Sequence, residues 1–171
     1  MTVRLVKPAS ANRDSSAASV GHSPHWKLAL VNNMPDGAFD TTERQYVDLL
    51  EEGSGADEIE VRRYTMLGVP RGEGTSARIG DEYFPVSDIY LDPPNFLIVT
   101  GSNPIEARIQ DELYWIDLVE LLTWAREHVT STLLSCLSAH AALSVFDGIS
   151  RIRLPVKCTG VFSQHVDKAN H

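Results

Sequence analysis

The sequence predicts an α/β fold, a parallel sheet flanked by helices, and three observations carry that expectation. Short apolar runs alternate with segments of helical period along the chain. The run Asn95-Phe96-Leu97-Ile98-Val99-Thr100 is apolar on consecutive inner positions, the pattern of a strand covered on both faces. Three unusual spots, residues 32–35, residues 101–106 and Cys136, fall just past the ends of predicted strands, where open parallel sheets gather their sites.

Taken in order, residues 1–24 interleave Ser10, Ser15, Ser16, Ser19 and Ser23 with alanine, close at Pro24 and show no apolar period. They read as a flexible tail, and residues 25–171 as one α/β domain. Lys27-Leu28-Ala29-Leu30-Val31 is a short apolar stretch that ends at Asn32-Asn33-Met34-Pro35, a buried strand running into a loop. Asp40, followed three places later by Glu43, reads as a capping pair for a helix carrying Tyr46, Val47, Leu49 and Leu50 at helical spacing up to Gly53. Ile59, Val61 and Tyr64 predict a second strand over residues 58–66, parallel to the first.

Five prolines between Pro70 and Pro104, with Gly72, Gly74 and Gly80 among them, predict a stretch that is mostly loop around the strand at residues 95–100. Asp111 and Glu112 suit the positive end of a helix dipole, and Trp115, Leu118, Val119, Leu122 and Ala125 then repeat at helical spacing to His128. A strand over residues 131–135 leads to Cys136, and the small-residue run after it starts a helix at once.

Composition narrows the function. The 171 residues carry 15 Lys+Arg against 23 Asp+Glu, a net charge of −8, with 43% hydrophobic residues, which fits one globular domain and argues against a nucleic-acid surface. No apolar run reaches the ~18 residues of a membrane helix, and the N-terminus lacks a signal-peptide core, so a cytoplasmic protein with a small-molecule substrate is expected. Two isolated cysteines form neither a disulfide framework nor a zinc site. No metal-ligand spacing and no phosphate-binding glycine loop is present, so neither a metal nor a nucleotide cofactor is expected.

Cys136 is the residue with chemistry to offer. A cysteine between the end of a strand and the start of a helix occupies a nucleophile elbow, where helix amides favour the thiolate and the N–H of Leu137 can hold an oxyanion. A small buried core residue is the competing reading, and the commoner fate of a free cysteine. His140 and His165 are the local base candidates, yet an elbow side chain points away from its own helix, and His165 lies near the end of the chain. Lys157 interrupts an apolar stretch and must reach solvent or an anion; Glu106 either binds a cationic or hydroxylic ligand or solvates its loop.

These places resemble the homoserine O-acyltransferase family, also called homoserine O-succinyltransferases, whose fold is class I glutamine-amidotransferase-like. The resemblance rests on Leu30-Val31-Asn32-Asn33-Met34-Pro35, Thr42-Glu43-Arg44-Gln45, Phe96-Leu97-Ile98-Val99-Thr100-Gly101, Tyr114-Trp115, Thr130-Ser131-Thr132-Leu133-Leu134-Ser135-Cys136, and Leu154-Pro155-Val156-Lys157 running into Gly160-Val161-Phe162. It implies that Cys136 accepts the acyl group, that the amides of Leu137 and Asn33 form the oxyanion hole, and that Lys157 contacts substrate. Acyl-CoA would acylate Cys136 and the hydroxyl of L-homoserine would take the acyl group, in methionine biosynthesis, with no cofactor beyond the co-substrate. In this family a residue after the Thr-Gly strand end goes with the donor, glutamate with acetyl and glycine with succinyl. Ungapped alignment puts Ile105 there and one extra residue around Asn103 puts Glu106 there, so the donor stays open with a lean toward acetyl.

The departures matter too. The family's catalytic His and Glu lie in a C-terminal segment without counterpart here, Ser138 stands where glycine is usual, and Asp36 and Gly37 stand where the family has a lysine. The chain thus resembles roughly the N-terminal half of such a transferase. A non-catalytic binding remnant and a cysteine hydrolase or amidotransferase relative using His140 or His165 are the alternatives; homo-oligomerisation stays open.

Overall fold

The computed structural model describes residues 2–8, 26–53, 58–152, 154–156 and 158–163. Its strands are β1 (Thr2–Val6), β2 (Trp26–Val31), β3 (Glu58–Thr65), β4 (Phe84–Pro85), β5 (Phe96–Val99) and β6 (Ser131–Leu134). Its α-helices are α1 (Asp36–Gly53), α2 (Glu73–Glu82), α3 (Trp115–His128) and α4 (Leu137–Asp147). The strand order is β1-β3-β2-β5-β6, with β4 also on β3, and every pairing is parallel. The expected parallel α/β sheet is what the chain forms.

Alternation along the strands sends side chains to two faces, and each face is covered differently. Ala29, Val31, Leu97 and Val99 join Leu118, Leu121, Leu122 and Ala125 of α3 and Leu137 and Ala141 of α4 in the larger core. Leu28, Leu30, Ile59, Val61 and Ile98 form the second cluster, against which Tyr46 and Leu50 of α1 pack. Leu30 and Val61 are completely buried, and each such side chain stabilises the fold by about 1.5–3 kcal/mol.

Three expectations need correction. Residues 2–6 are not tail but an edge strand, paired with β3 from Thr2↔Glu58 to Val6↔Arg62. Val3 packs against the second core cluster and Arg4 pairs with Glu60, contacts from which neither local pattern nor composition could reveal a five-residue strand. Residues 9–25 lie outside the described residues. The stretch after Pro70 is not mostly loop, because it contains α2, which buries none of its residues. This helix is held by charge: Arg78 reaches Glu43 at 2.7 Å, Glu82 at 3.1 Å and also Asp40, while Glu82 meets Arg63 at 3.0 Å.

The third correction concerns Asp40 and Glu43, which lie inside α1 rather than capping it, since the helix begins at Asp36 directly after Pro35. Glu43 is buried and accepts from Arg63 Nη1 at 3.1 Å, Arg78 Nη2 at 2.7 Å and the Tyr83 hydroxyl. Burial and the bond to Glu43 push the Tyr83 phenol up. Removing one partner of a buried ion pair strands the other charge, at a cost of about 3–5 kcal/mol. Glu43→Ala is therefore expected to destabilise the chain by about 3 kcal/mol, the low end of that range because Glu82 still faces Arg63, as read by urea unfolding.

Glu82 adds a pH dependence. The hydrogen bond from Lys7 Nζ, at 2.7 Å, and then the guanidiniums of Arg63 and Arg78 hold its carboxyl down to about 2, from an ordinary 4.5. A carboxyl depressed in the folded state stabilises fully above its unfolded pKa and loses that contribution as pH falls through the folded one. Stability should thus decline between pH 4.5 and about 2, and Glu82→Gln should flatten the acid-unfolding curve over that window while lowering stability at pH 7.

Candidate active site

Three chain segments meet at the carboxyl ends of the central strands. Beyond β2, Asn32 is tied to its surroundings by its amide to Tyr64 O at 2.8 Å and by its side-chain amide to Phe39 O at 3.0 Å. Arg71 braces the same turn from outside, donating to Asn32 O at 3.1 Å and to Met34 O. Beyond β5, Thr100 donates its amide to Val31 O at 3.0 Å, and its Oγ1 accepts the Asn33 amide at 2.8 Å. Beyond β6, the chain turns sharply at Cys136 into α4.

Cys136 has φ 58° and ψ −119°, and it is the one non-glycine residue with positive φ among the described residues. Such backbone costs about 1–3 kcal/mol and persists only where its surroundings over-determine it. The residue is exposed, as its elbow position predicts, and is not the core cysteine of the competing reading. Leu137 opens α4, and a first-turn amide has no acceptor within its own helix. Gly101 explains how the neighbouring strand end comes so close: a Cβ on it would lie 2.7 Å from Cys136 Cβ, 3.0 Å from its Sγ and 2.9 Å from the Leu137 nitrogen. Only a residue without a side chain leaves that space open.

A cleft of about 300 Å³ lies beside the thiol, lined by Met34, Thr42, Gln45, Tyr46, Leu49, Thr100, Ser135 and Cys136. All of these side chains are uncharged. Thr42, Gln45 and Tyr46 belong to α1, where the sequence gives Tyr46 only a place in the helical repeat and Thr42 and Gln45 no role beyond the family resemblance. The orientation of α1 brings them here, and the buried Glu43 between them ties that helix to Arg63 and Arg78.

The other nominated residues fall in different places. The Asn33 amide is already donated to Thr100, and its Oδ1 accepts the Met66 amide at 3.1 Å, so an oxyanion would have to displace the Thr100 hydroxyl. Glu106 is exposed, and its amide donates to Glu112 Oε1 at 2.8 Å. Glu112, read from the sequence as a dipole partner of α3, instead is buried and pins the loop after β5, receiving the Ile105 amide at 2.6 Å as well. Tyr114 helps from the same turn, with its hydroxyl 2.5 Å from Ser102 Oγ, and burial pushes its phenol up. His140 is exposed and does not line the cleft. Lys157 and His165 lie outside the described residues. Among the described residues no group of His, Cys, Asp and Glu is arranged to hold a metal ion, and no helix is long and apolar enough to cross a membrane.

Sheet, turn and cleft define a parallel α/β protein with a cysteine on a strand-to-helix elbow. Comparison with known proteins makes this specific. A family model described as homoserine O-succinyltransferase matches residues 7–171. The chain is 42% identical over 137 residues to the homoserine O-succinyltransferase of Rhodopseudomonas palustris, an alignment covering 80% of this chain and 41% of that protein. It is 39% identical over 144 residues to the enzyme of that name from Cardiobacterium hominis, covering 84% of this chain and 41% of the relative. The chain belongs to the homoserine O-succinyltransferase family, and it spans about 41% of the length of these relatives.

Because the space at Gly101 is filled on one side by backbone, Gly101→Ala forces the elbow or β5 to move. It should lower the thermal midpoint by an amount equivalent to about 1–3 kcal/mol. Gly74→Ala, whose added carbon meets nothing within 4 Å, should not lower it.

Proposed function

We propose that this chain takes part in acyl transfer from acyl-CoA to the hydroxyl of L-homoserine, a step of methionine biosynthesis, through a thioester on Cys136. The observation that carries this reading is the exposed Cys136 at positive φ, held at the first turn of α4 beside an uncharged cleft, in a chain of this family. The Cys136 thiolate attacks the thioester carbonyl of acyl-CoA, a new carbon–sulfur bond forms, and the carbonyl oxygen takes the negative charge. Collapse of that oxyanion expels the CoA thiolate, which picks up a proton from water. The homoserine hydroxyl then attacks the enzyme thioester, giving up its proton to a base, and the O-acyl ester leaves as the Cys136 thiolate returns.

In this reading the Leu137 amide is the first oxyanion donor and the Asn33 amide the second once Thr100 turns aside, with Lys157 and Glu106 as substrate contacts. The donor is acetyl-CoA or succinyl-CoA, no further cofactor is needed, and the reaction belongs in the cytoplasm. No histidine or carboxylate is among the residues lining the cleft. A base for the homoserine step then comes from outside it, and such a base is worth about 10²–10⁴-fold in rate. Attack of the Cys136 sulfur on acyl-CoA takes no proton from the acceptor hydroxyl, so it is the step that these residues support most directly.

The test is peptide mass spectrometry after incubation with acetyl-CoA or succinyl-CoA. One acyl group should appear on the Cys136 peptide, be discharged by L-homoserine, and be absent from Cys136→Ala and from the Cys158 peptide. Failure of both donors to label Cys136 would reject the transferase reading and leave the chain as a binding module.

A further inference from the structure

The elbow raises a question of how a strained residue is kept in place. Cys136 supplies no side-chain cap to α4, and the helical hydrogen bond from the His140 amide to Cys136 O is long, at 3.4 Å. The residue two places further on does more. Ser138 is 2% exposed, and its Oγ lies 2.7 Å from Val99 O, 2.9 Å from Ser135 O and 3.0 Å from the Ser135 nitrogen. Ser135 in turn donates its amide to Val99 O at 3.0 Å. A hydroxyl has one proton to give, so Ser138 donates to Val99 O or Ser135 O and accepts the Ser135 N–H.

We propose that the Ser138 hydroxyl is a positioning residue for Cys136, a clasp that closes over the elbow from its helical side to its strand side and ties both to the end of β5. This rests on the reading of Cys136 as the nucleophile and adds what keeps it aimed. The three backbone atoms it joins flank the turn: Ser135 precedes Cys136, and Val99 ends the strand after which Thr100 lines the cleft and Gly101 approaches the Leu137 nitrogen. The clasp adds to the close approach of Gly101 in holding Cys136 at positive φ, and its loss lets the residue relax toward ordinary negative φ. That rotation carries Sγ away from the first-turn amides of α4. A buried serine that served packing alone would have no reason to act on one thiol selectively.

The experiment is alkylation of the full chain by iodoacetamide at pH 7, with Cys136 and Cys158 followed separately by peptide mass spectrometry. In the wild type Cys136 should react faster than Cys158 at pH 7. Ser138→Ala should slow Cys136 at least tenfold at pH 7 while Cys158, also exposed, keeps its rate. Ser138→Thr, which retains the hydroxyl, should stay within threefold of wild type. Far-UV circular dichroism checks folding, and Ser138→Gly serves as the second hydroxyl-free variant if alanine unfolds the chain. A folded hydroxyl-free variant whose Cys136 reacts as in wild type overturns the clasp, as does a loss at both cysteines. A wild-type Cys136 no faster than Cys158 overturns the nucleophile reading itself, and the clasp with it.

Discussion

The site depends on a close approach of two backbones. The end of β5 and the turn after β6 lie so near each other at Gly101 and Cys136 that one methyl group would overlap three atoms of the elbow. Parallel strands set about 4.8 Å apart leave room for such an approach only where the chains leave the sheet. Thr100, one residue earlier, uses the same proximity in the other direction, joining β2 through Val31 O and Asn33. Three strand ends are therefore laced together by main-chain bonds and the hydroxyls of Thr100 and Ser138, and the thiol is carried on the outermost of them.

A second layer holds the cleft's far wall. The carboxylate of Glu43 is buried between Arg63 of β3 and Arg78 of α2, with Tyr83 beside it, so α1 is anchored to both. On the same helix Thr42, Gln45 and Tyr46 turn toward Cys136. Arg71 packs over the Phe39 ring at 4.9 Å and holds the turn after β2 by its carbonyls. The charged network thus lies behind the cleft and orients it without entering it, which leaves the space beside the thiol neutral.

What the sequence made legible was whatever has a strong local signal. Strands β2, β3, β5 and β6 are dense apolar or β-branched runs, α3 repeats its apolar residues through Ala125, and Cys136 follows a strand end directly. What stayed hidden depends on partners distant in sequence. Strand β1 owes its place to β3, some 56 residues away, and α2 has no buried face to give it a period. Glu43 and Glu112 each looked like helix-end carboxylates because acidic residues near a predicted helix start usually are. One is the centre of a buried ion cluster and the other a buried acceptor for two loop amides. The Asn33 amide was matched to a role by resemblance, but its bond to Thr100 could be known only from the register of β2 against β5.

The positive φ of Cys136 sets two kinds of selection against each other. Glycine at that position would adopt the same backbone without steric penalty, so a sulfur-free chain gains stability at the spot where it loses chemistry. Purifying for heat resistance alone would erode this residue early, and a lineage that had stopped needing the reactive atom would find its easiest improvement there.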